Sequence, residues 1–232
     1  EGTSLSLPRT RRSLLRPSGP ALRLRGSLGL TKGTETRKPP VCWMAKTMVR
    51  HVLLLTGVPG AGKTTVIRRV AEHLRGRRLA GFYTQEIREH GIRRGFRLTT
   101  FDGQENIMAH VDFAKTYRVG RYGVDLAAIE AAAQASLLPN DATEVYLVDE
   151  IGKMECLSPK FVVAMRTLLK AHKSIVATVA EKGVGFIAEV KGRADVELWR
   201  VTAANRDSLP ARVIARLGLE PAASRRGDSQ LM

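Results

Sequence analysis

The chain has 232 residues, 44% hydrophobic, 5% aromatic and 26% charged, which is enough for one α/β domain with a sizeable core. No apolar run reaches the ~18 residues of a membrane-spanning helix, and the two cysteines, Cys42 and Cys156, are too few for a disulfide framework or a metal cluster and suit a reducing compartment. The net charge of +16 is unevenly placed: residues 1–50 hold 11 Lys and Arg against two acids and the remainder 27 against 20, so the folded part suits an anionic ligand without requiring nucleic acid.

Residues 1–47 are rich in Arg, Ser, Leu, Gly and Pro, poor in acids, and without a sustained apolar period. They read as a disordered basic leader, either a mitochondrial-type transit peptide or upstream sequence outside the working protein. A nucleic-acid-binding tail is a third option. Met44 and Met48 stand just before the first strand, where a natural start would fit. The expected location is cytoplasmic, or mitochondrial if the leader is a genuine transit peptide.

The strongest signal follows. Residues 51–56 (HVLLLT) form a short apolar run that predicts a buried strand. Gly57, Val58, Pro59, Gly60, Ala61, Gly62, Lys63, Thr64 and Thr65 complete G-x-x-x-x-G-K-[ST], and Val66, Ile67, Val70 and Leu74 then recur at helical spacing. Glycines let backbone amides close around phosphate oxygens, and the helix N-terminus adds partial positive charge there. In such a loop Lys63 reaches the β- and γ-phosphates and the Thr64 hydroxyl is a Mg²⁺ ligand. A merely tight glycine turn explains the spacing less well than a nucleotide loop does.

Residues 79–87 and 95–101 predict a hairpin turning at His90-Gly91, with a further strand over 106–111. Its arginines, Arg88, Arg93, Arg94 and Arg97, read mainly as a solvated face, with one or two free to reach a triphosphate. Residues 117–122 (YRVGRY) read as a glycine-containing loop. An alanine-rich helix is expected over 124–138, with Asp125 as N-cap and Pro139 ending it.

Residues 145–148 are a four-residue apolar run closing on Asp149-Glu150. An apolar strand ending in a carboxylate supplies the second Mg²⁺ contact of a phosphate-loop protein, and a carboxylate directly after it can polarise an attacking water. The competing role for Glu150 is a surface salt-bridge partner. Ser158-Pro159 marks a helix start, with the helix over 160–171. Residues 174–179 predict a buried strand, near whose end Thr178 is either a sensor of the γ-phosphate or a plain β-branched strand residue. A helix over 183–192, a strand over 197–201, a loop over 202–206 and a helix over 207–217 capped by Gly218 follow; the tail from residue 220 is Ser- and Arg-rich.

GVPGAGKTT, GFYTQEIRE with RRGF, RVGRYGVDL, VDEIGKMEC and VTAANRDSL occur in that order. Together they resemble the small P-loop nucleoside triphosphatases of thermophilic prokaryotes and eukaryotes, the cancer-related nucleoside triphosphatase type, over about residues 48–219. The resemblance implies compact αβα proteins that hydrolyse several nucleoside triphosphates with Mg²⁺ and little base preference. It also implies that residues 57–65 form the nucleotide loop, that Asp149 serves Mg²⁺ and Glu150 catalysis, and that Asn205 and Arg206 belong to a late loop. The expected fold is α/β: a RecA-like P-loop three-layer αβα sandwich with a mainly parallel sheet. Strand 174–179 should lie between the strands of the two phosphate-site motifs, and the hairpin should extend one side.

Mg²⁺-dependent hydrolysis by Glu150 and Lys63, with Arg206 on the nucleotide, is the expected function, in a monomer with neither membrane nor nucleic acid as partner. Arg206, Arg88 and Arg94 are the arginine-finger candidates, in that order. The alternatives are a small-molecule or nucleotide kinase on the same loop and a nucleic-acid binder switched by nucleoside triphosphate. The domain is expected over 48–219, with 220–232 a flexible tail.

Overall fold

The structure, a computed structural model, describes residues 51–114 and 116–219. The expected leader over 1–47 and the tail over 220–232 lie outside the described residues.

The first strand, β1 (Val52–Gly57), is buried along its whole length. Strand side chains alternate between faces, so Val52 and Leu54 enter one apolar cluster while Leu53 and Leu55 enter another. A strand covered on both sides is continuously apolar, which is how this run reads. Leu53, Leu54 and Leu55 are each at most 1% exposed, and each such burial contributes about 1.5–3 kcal/mol.

The first helix, α1 (Lys63–His73), presents Val66, Ile67 and Val70 to the second cluster, where the last helix, α5 (Leu209–Arg216), joins it. The opposite cluster is covered by α2 (Leu126–Ser136), α3 (Pro159–Lys170) and α4 (Phe186–Lys191). Two chain-made caps start these helices. Asp125 accepts the amides of Ala127 and Ala128 at 3.0 and 3.3 Å, and Ser158 accepts that of Phe161 at 3.1 Å, with Pro159 fixing the first turn.

The remaining strands are β2 (Leu79–Glu89), β3 (Ile92–Thr100), β4 (Glu105–His110), β5 (Arg118–Val119), β6 (Tyr122–Val124), β7 (Val145–Ile151), β8 (Ser174–Ala180) and β9 (Glu197–Arg200). Among the described residues they form one nine-stranded sheet in the order β5-β6-β4-β3-β2-β7-β8-β1-β9. The portion from β2 to β9 is parallel, and β8 lies between β7 and β1 as expected. The portion from β2 to β5 is an antiparallel extension. The β2–β3 turn is His90-Gly91, both at positive φ (48° and 78°), the geometry that matches strand twist in a two-residue hairpin.

Four boundaries differ from the sequence reading. Residues 117–122 are not a plain loop, because β5 and β6 pair across Gly120-Arg121 and β6 continues the ladder onto β4. The Tyr122 ring meets Phe96 edge-on at 5.2 Å, an apolar anchor no local period marks. Consequently Val124 belongs to β6, and α2 begins at Leu126. The helix expected over 183–192 covers only Phe186–Lys191. The last helix begins at Leu209, since Asn205 ties residues 200–205 into a turned segment: its Oδ1 accepts the Thr202 amide at 2.8 Å and its Nδ2 donates to the Arg200 carbonyl at 2.9 Å.

Candidate functional site: a phosphate loop facing a carboxylate pair

Parallel strands present their carboxyl ends on one side, and ligands of open α/β sheets bind there. The glycine loop leaves β1 at that side. Gly62 caps α1 in the left-handed region at φ 99°, and a Cβ there would lie 2.9 Å from Arg206 Cδ. The positive φ demands glycine. The close approach places the Arg206 stem against the loop. Val58, Pro59, Gly60 and Thr65 are exposed, Ala61 is buried, and Gly62 and Thr64 are half-buried. Val58, Pro59, Gly60 and Ala61 line a cavity of about 330 Å³ with Arg200, Val201, Thr202 and Ala203.

Lys63 is 8% exposed. Its Nζ donates to the Gly57 carbonyl at 3.0 Å and lies 3.4 Å from Glu150 Oε2. On β7, Asp149 is 1% exposed, and its carboxylate is satisfied by hydroxyls from separate elements. Thr64 Oγ1 donates to Oδ2 at 2.6 Å, Thr178 Oγ1 to Oδ1 at 2.6 Å, and Thr84 Oγ1 to Oδ2 at 3.2 Å, with the Thr84 amide 3.4 Å from the same oxygen. Thr178 therefore holds Asp149 rather than standing open to a phosphate.

Glu150 adjoins it, its side chain 30% exposed. Burial pushes its carboxyl above the ordinary range; the Lys63 ammonium opposes that shift, and the Asp149 charge adds to it. A Cβ on Gly152 would lie 3.0 Å from Glu150 Cγ and 2.8 Å from Glu155 Oε2, so glycine lets these carboxyls converge. Glu155 is 5% exposed, and burial, reinforced by the neighbouring acids, pushes it up to about 8.

Two arginine-finger candidates have partners on the hairpin and the segment after β4. Arg88 pairs with Glu86 and donates to the Gly91 carbonyl, and Arg94 pairs with Glu89 and Asp112. Arg93 and Arg97 meet Glu86 and Glu105. The hairpin's basic residues thus carry counter-ions on the hairpin and its neighbouring segments. Sequence reasoning missed Thr84 and the Gly152–Glu155 contact. A threonine in a β-rich run carries no mark of a partner 65 residues away.

A glycine phosphate loop between a buried strand and a helix, facing an Asp-Glu pair two strands away, defines a P-loop nucleotide-binding protein of the αβα class. The family described as NTPase matches residues 52–214, and the chain belongs to that family. It is 39% identical over 166 residues to "Nucleoside-triphosphatase THEP1" of Thermotoga sp. (strain RQ2), covering 71% of this chain and 94% of that protein. It is 36% identical over 178 residues to the human "Cancer-related nucleoside-triphosphatase", covering 70% and 93%. Among solved structures, that of THEP1 from Aquifex aeolicus superposes with a TM-score of 0.65 at 33% identity, over 71% of this chain and 98% of that one. The human cancer-related nucleoside triphosphatase gives 0.63 at 34% identity, over 77% and 100%.

Proposed function

We propose that the protein hydrolyses nucleoside 5′-triphosphates to the diphosphate and phosphate, with Mg²⁺ and with little preference among bases. The observation that carries this reading is the convergence of Lys63, Thr64, Asp149 and Glu150 at the carboxyl edge of β1 and β7. The names of the relatives agree with it.

The donor set fits Mg²⁺, a hard cation that takes oxygen ligands and keeps several waters. A hydroxyl and a carboxylate oxygen lie 2.6 Å apart at the loop. Few protein ligands suffice for Mg²⁺ where phosphates and water complete the shell. Thr64 and Asp149 would hold the ion, which when bound neutralises charge on the β- and γ-phosphoryl oxygens.

The chain's own groups do the rest. The amides of residues 57–62 and the Lys63 ammonium bind phosphate oxygens and take up charge as it develops. Arg206, exposed beside Gly62, is the side chain best placed to add a cation at the nucleotide. Glu150 orients a water. As the water oxygen bonds to the γ-phosphorus, its proton passes to the Glu150 carboxylate, and the bond from the γ-phosphorus to the bridging oxygen breaks to release the diphosphate. A carboxylate of raised proton affinity suits a base working near neutrality. The cavity beside Val58 and Ala203 is walled by small and apolar residues, with Arg200 and Thr202 at its polar side. Such walls accept a base by shape, which supports broad base tolerance.

The test is phosphate release from a panel of ribo- and deoxynucleoside triphosphates by the wild type and Glu150→Gln. Glutamine keeps the shape but not the charge. The wild type should turn over all members at comparable rates. The variant should bind a fluorescent nucleotide normally, yet turn over roughly 10²-fold more slowly or worse. Turnover within a few-fold of wild type would make Glu150 a structural carboxylate.

A further inference from the structure

We propose that Thr84 is a positioning residue for Asp149, so that the root of the β2–β3 hairpin forms part of the divalent-cation site. The inference rests on the reading of Asp149 as the metal-side carboxylate.

The argument begins with the sheet. β2 and β7 pair in parallel from Leu79↔Val145 to Phe82↔Val148 and no further. Beyond Val148 the β7 register shifts, and Ile151 pairs with Val179 of β8. β2 runs on to Glu89 with β3 as its partner. The two strands separate where Asp149 begins, and the next β2 residues lose their ladder on that side. A half-buried backbone N–H without a partner is costly. The Thr84 amide points across the gap at 3.4 Å from Asp149 Oδ2, and the Thr84 hydroxyl donates to the same oxygen at 3.2 Å. The carboxylate thus replaces the missing ladder partner, while the hydroxyl fixes which way the carboxylate faces.

Asp149 is then oriented from three elements: α1 through Thr64, β8 through Thr178 and β2 through Thr84. Thr64 and Thr84 share one oxygen, so they set the direction in which Oδ2 stands toward the phosphate loop. Strand propensity alone would accept valine at residue 84 as readily as threonine. What separates them is the hydroxyl, and among the described residues its hydrogen-bond partner is Asp149. Groups that orient a metal-side ligand typically affect metal affinity by 10–100-fold when removed.

The experiment uses the full chain with Thr84→Val and Thr84→Ser. Mn²⁺ affinity is read by electron paramagnetic resonance in the presence of a nucleoside diphosphate, alongside kcat, KM and the Mg²⁺ dependence of turnover. Thr84→Val should weaken Mn²⁺ about tenfold and raise the Mg²⁺ needed for half-maximal rate. KM for nucleotide at saturating Mg²⁺ should hold, and Thr84→Ser should restore the wild-type Mn²⁺ affinity. Thr84→Ala gives the same reading should the valine methyl impair folding. A folded Thr84→Val or Thr84→Ala protein with wild-type Mn²⁺ affinity overturns the inference. Asp149→Asn separates the two levels: if it loses Mn²⁺ and the Thr84 variants do not, Thr84 alone is misassigned. If Asp149→Asn also binds Mn²⁺ normally, the metal reading of Asp149 fails with it.

Discussion

Lys63 is held in place from two sides, by the Gly57 carbonyl at 3.0 Å and by Glu150 at 3.4 Å. The first contact folds the lysine back along its own loop. The second couples the proposed phosphate-binding cation to the proposed base. Lys63→Ala should therefore have two effects. Phosphate release should fall roughly 10²-fold or more, the scale for losing one preorganised donor to a developing anion, and triphosphate binding should weaken. Since Lys63 opposes the upward shift of Glu150, its loss should also move the acid limb of any residual activity to higher pH. A pH–rate series on the variant reads both. Wild-type turnover in Lys63→Ala would remove the phosphate-loop assignment.

At the scale of elements, α3 shows how closely local chemistry governs placement. Ser158 is fully buried, accepts the Phe161 amide at 3.1 Å and donates to Glu130 of α2 at 3.3 Å. Phe161 behind it packs on Phe82, ring centroids 6.2 Å apart, and so links α3 to β2. Ser158→Ala should cost about 0.5–2 kcal/mol, read as a lowered melting temperature with activity retained; an unchanged melting temperature would mean that the cap is satisfied by another group. This cap was legible in the sequence, as were the glycine loop, the apolar run before Asp149 and the β8 strand. Each is written in consecutive residues by period, turn chemistry or helix-start residues. What was not legible depends on partners distant in the chain. β5 and β6 are two and three residues long; β6 exists through pairing with β4 and the Phe96–Tyr122 contact, and β5 through pairing with β6. The Arg94 counter-ions, and the Thr84 donation to Asp149, follow from how strands register rather than from either strand's own composition.

At the scale of the whole molecule, the carboxyl edge of the sheet gathers Asp149, Glu150 and Glu155 near one another, and the largest upward shift among these three falls on Glu155. Its carboxyl accepts backbone amides at its own position and at Gly152, which favours the ionised form, but burial outweighs them and lifts it from 4.5 to about 8. The linkage sign follows directly. In the unfolded chain Glu155 ionises near 4.5, whereas in the folded chain it stays protonated until about 8. Between these values the unfolded state has released a proton that the folded state keeps, so stability falls as pH rises. It is fully present below the lower value and is lost by the upper one, at about 1.4 kcal/mol per pH unit from this group alone. Glutamine has nearly the same volume, can accept the same amides and does not titrate. Glu155→Gln should therefore melt close to wild type at pH 4.5, and above it by a margin that widens up to about pH 8 and then stays constant. Thermal melts of both proteins across that range, without nucleotide or divalent ion, measure the margin. A constant difference between the two proteins at every pH would show that Glu155 is ionised in the fold, and that its charge is balanced within the site.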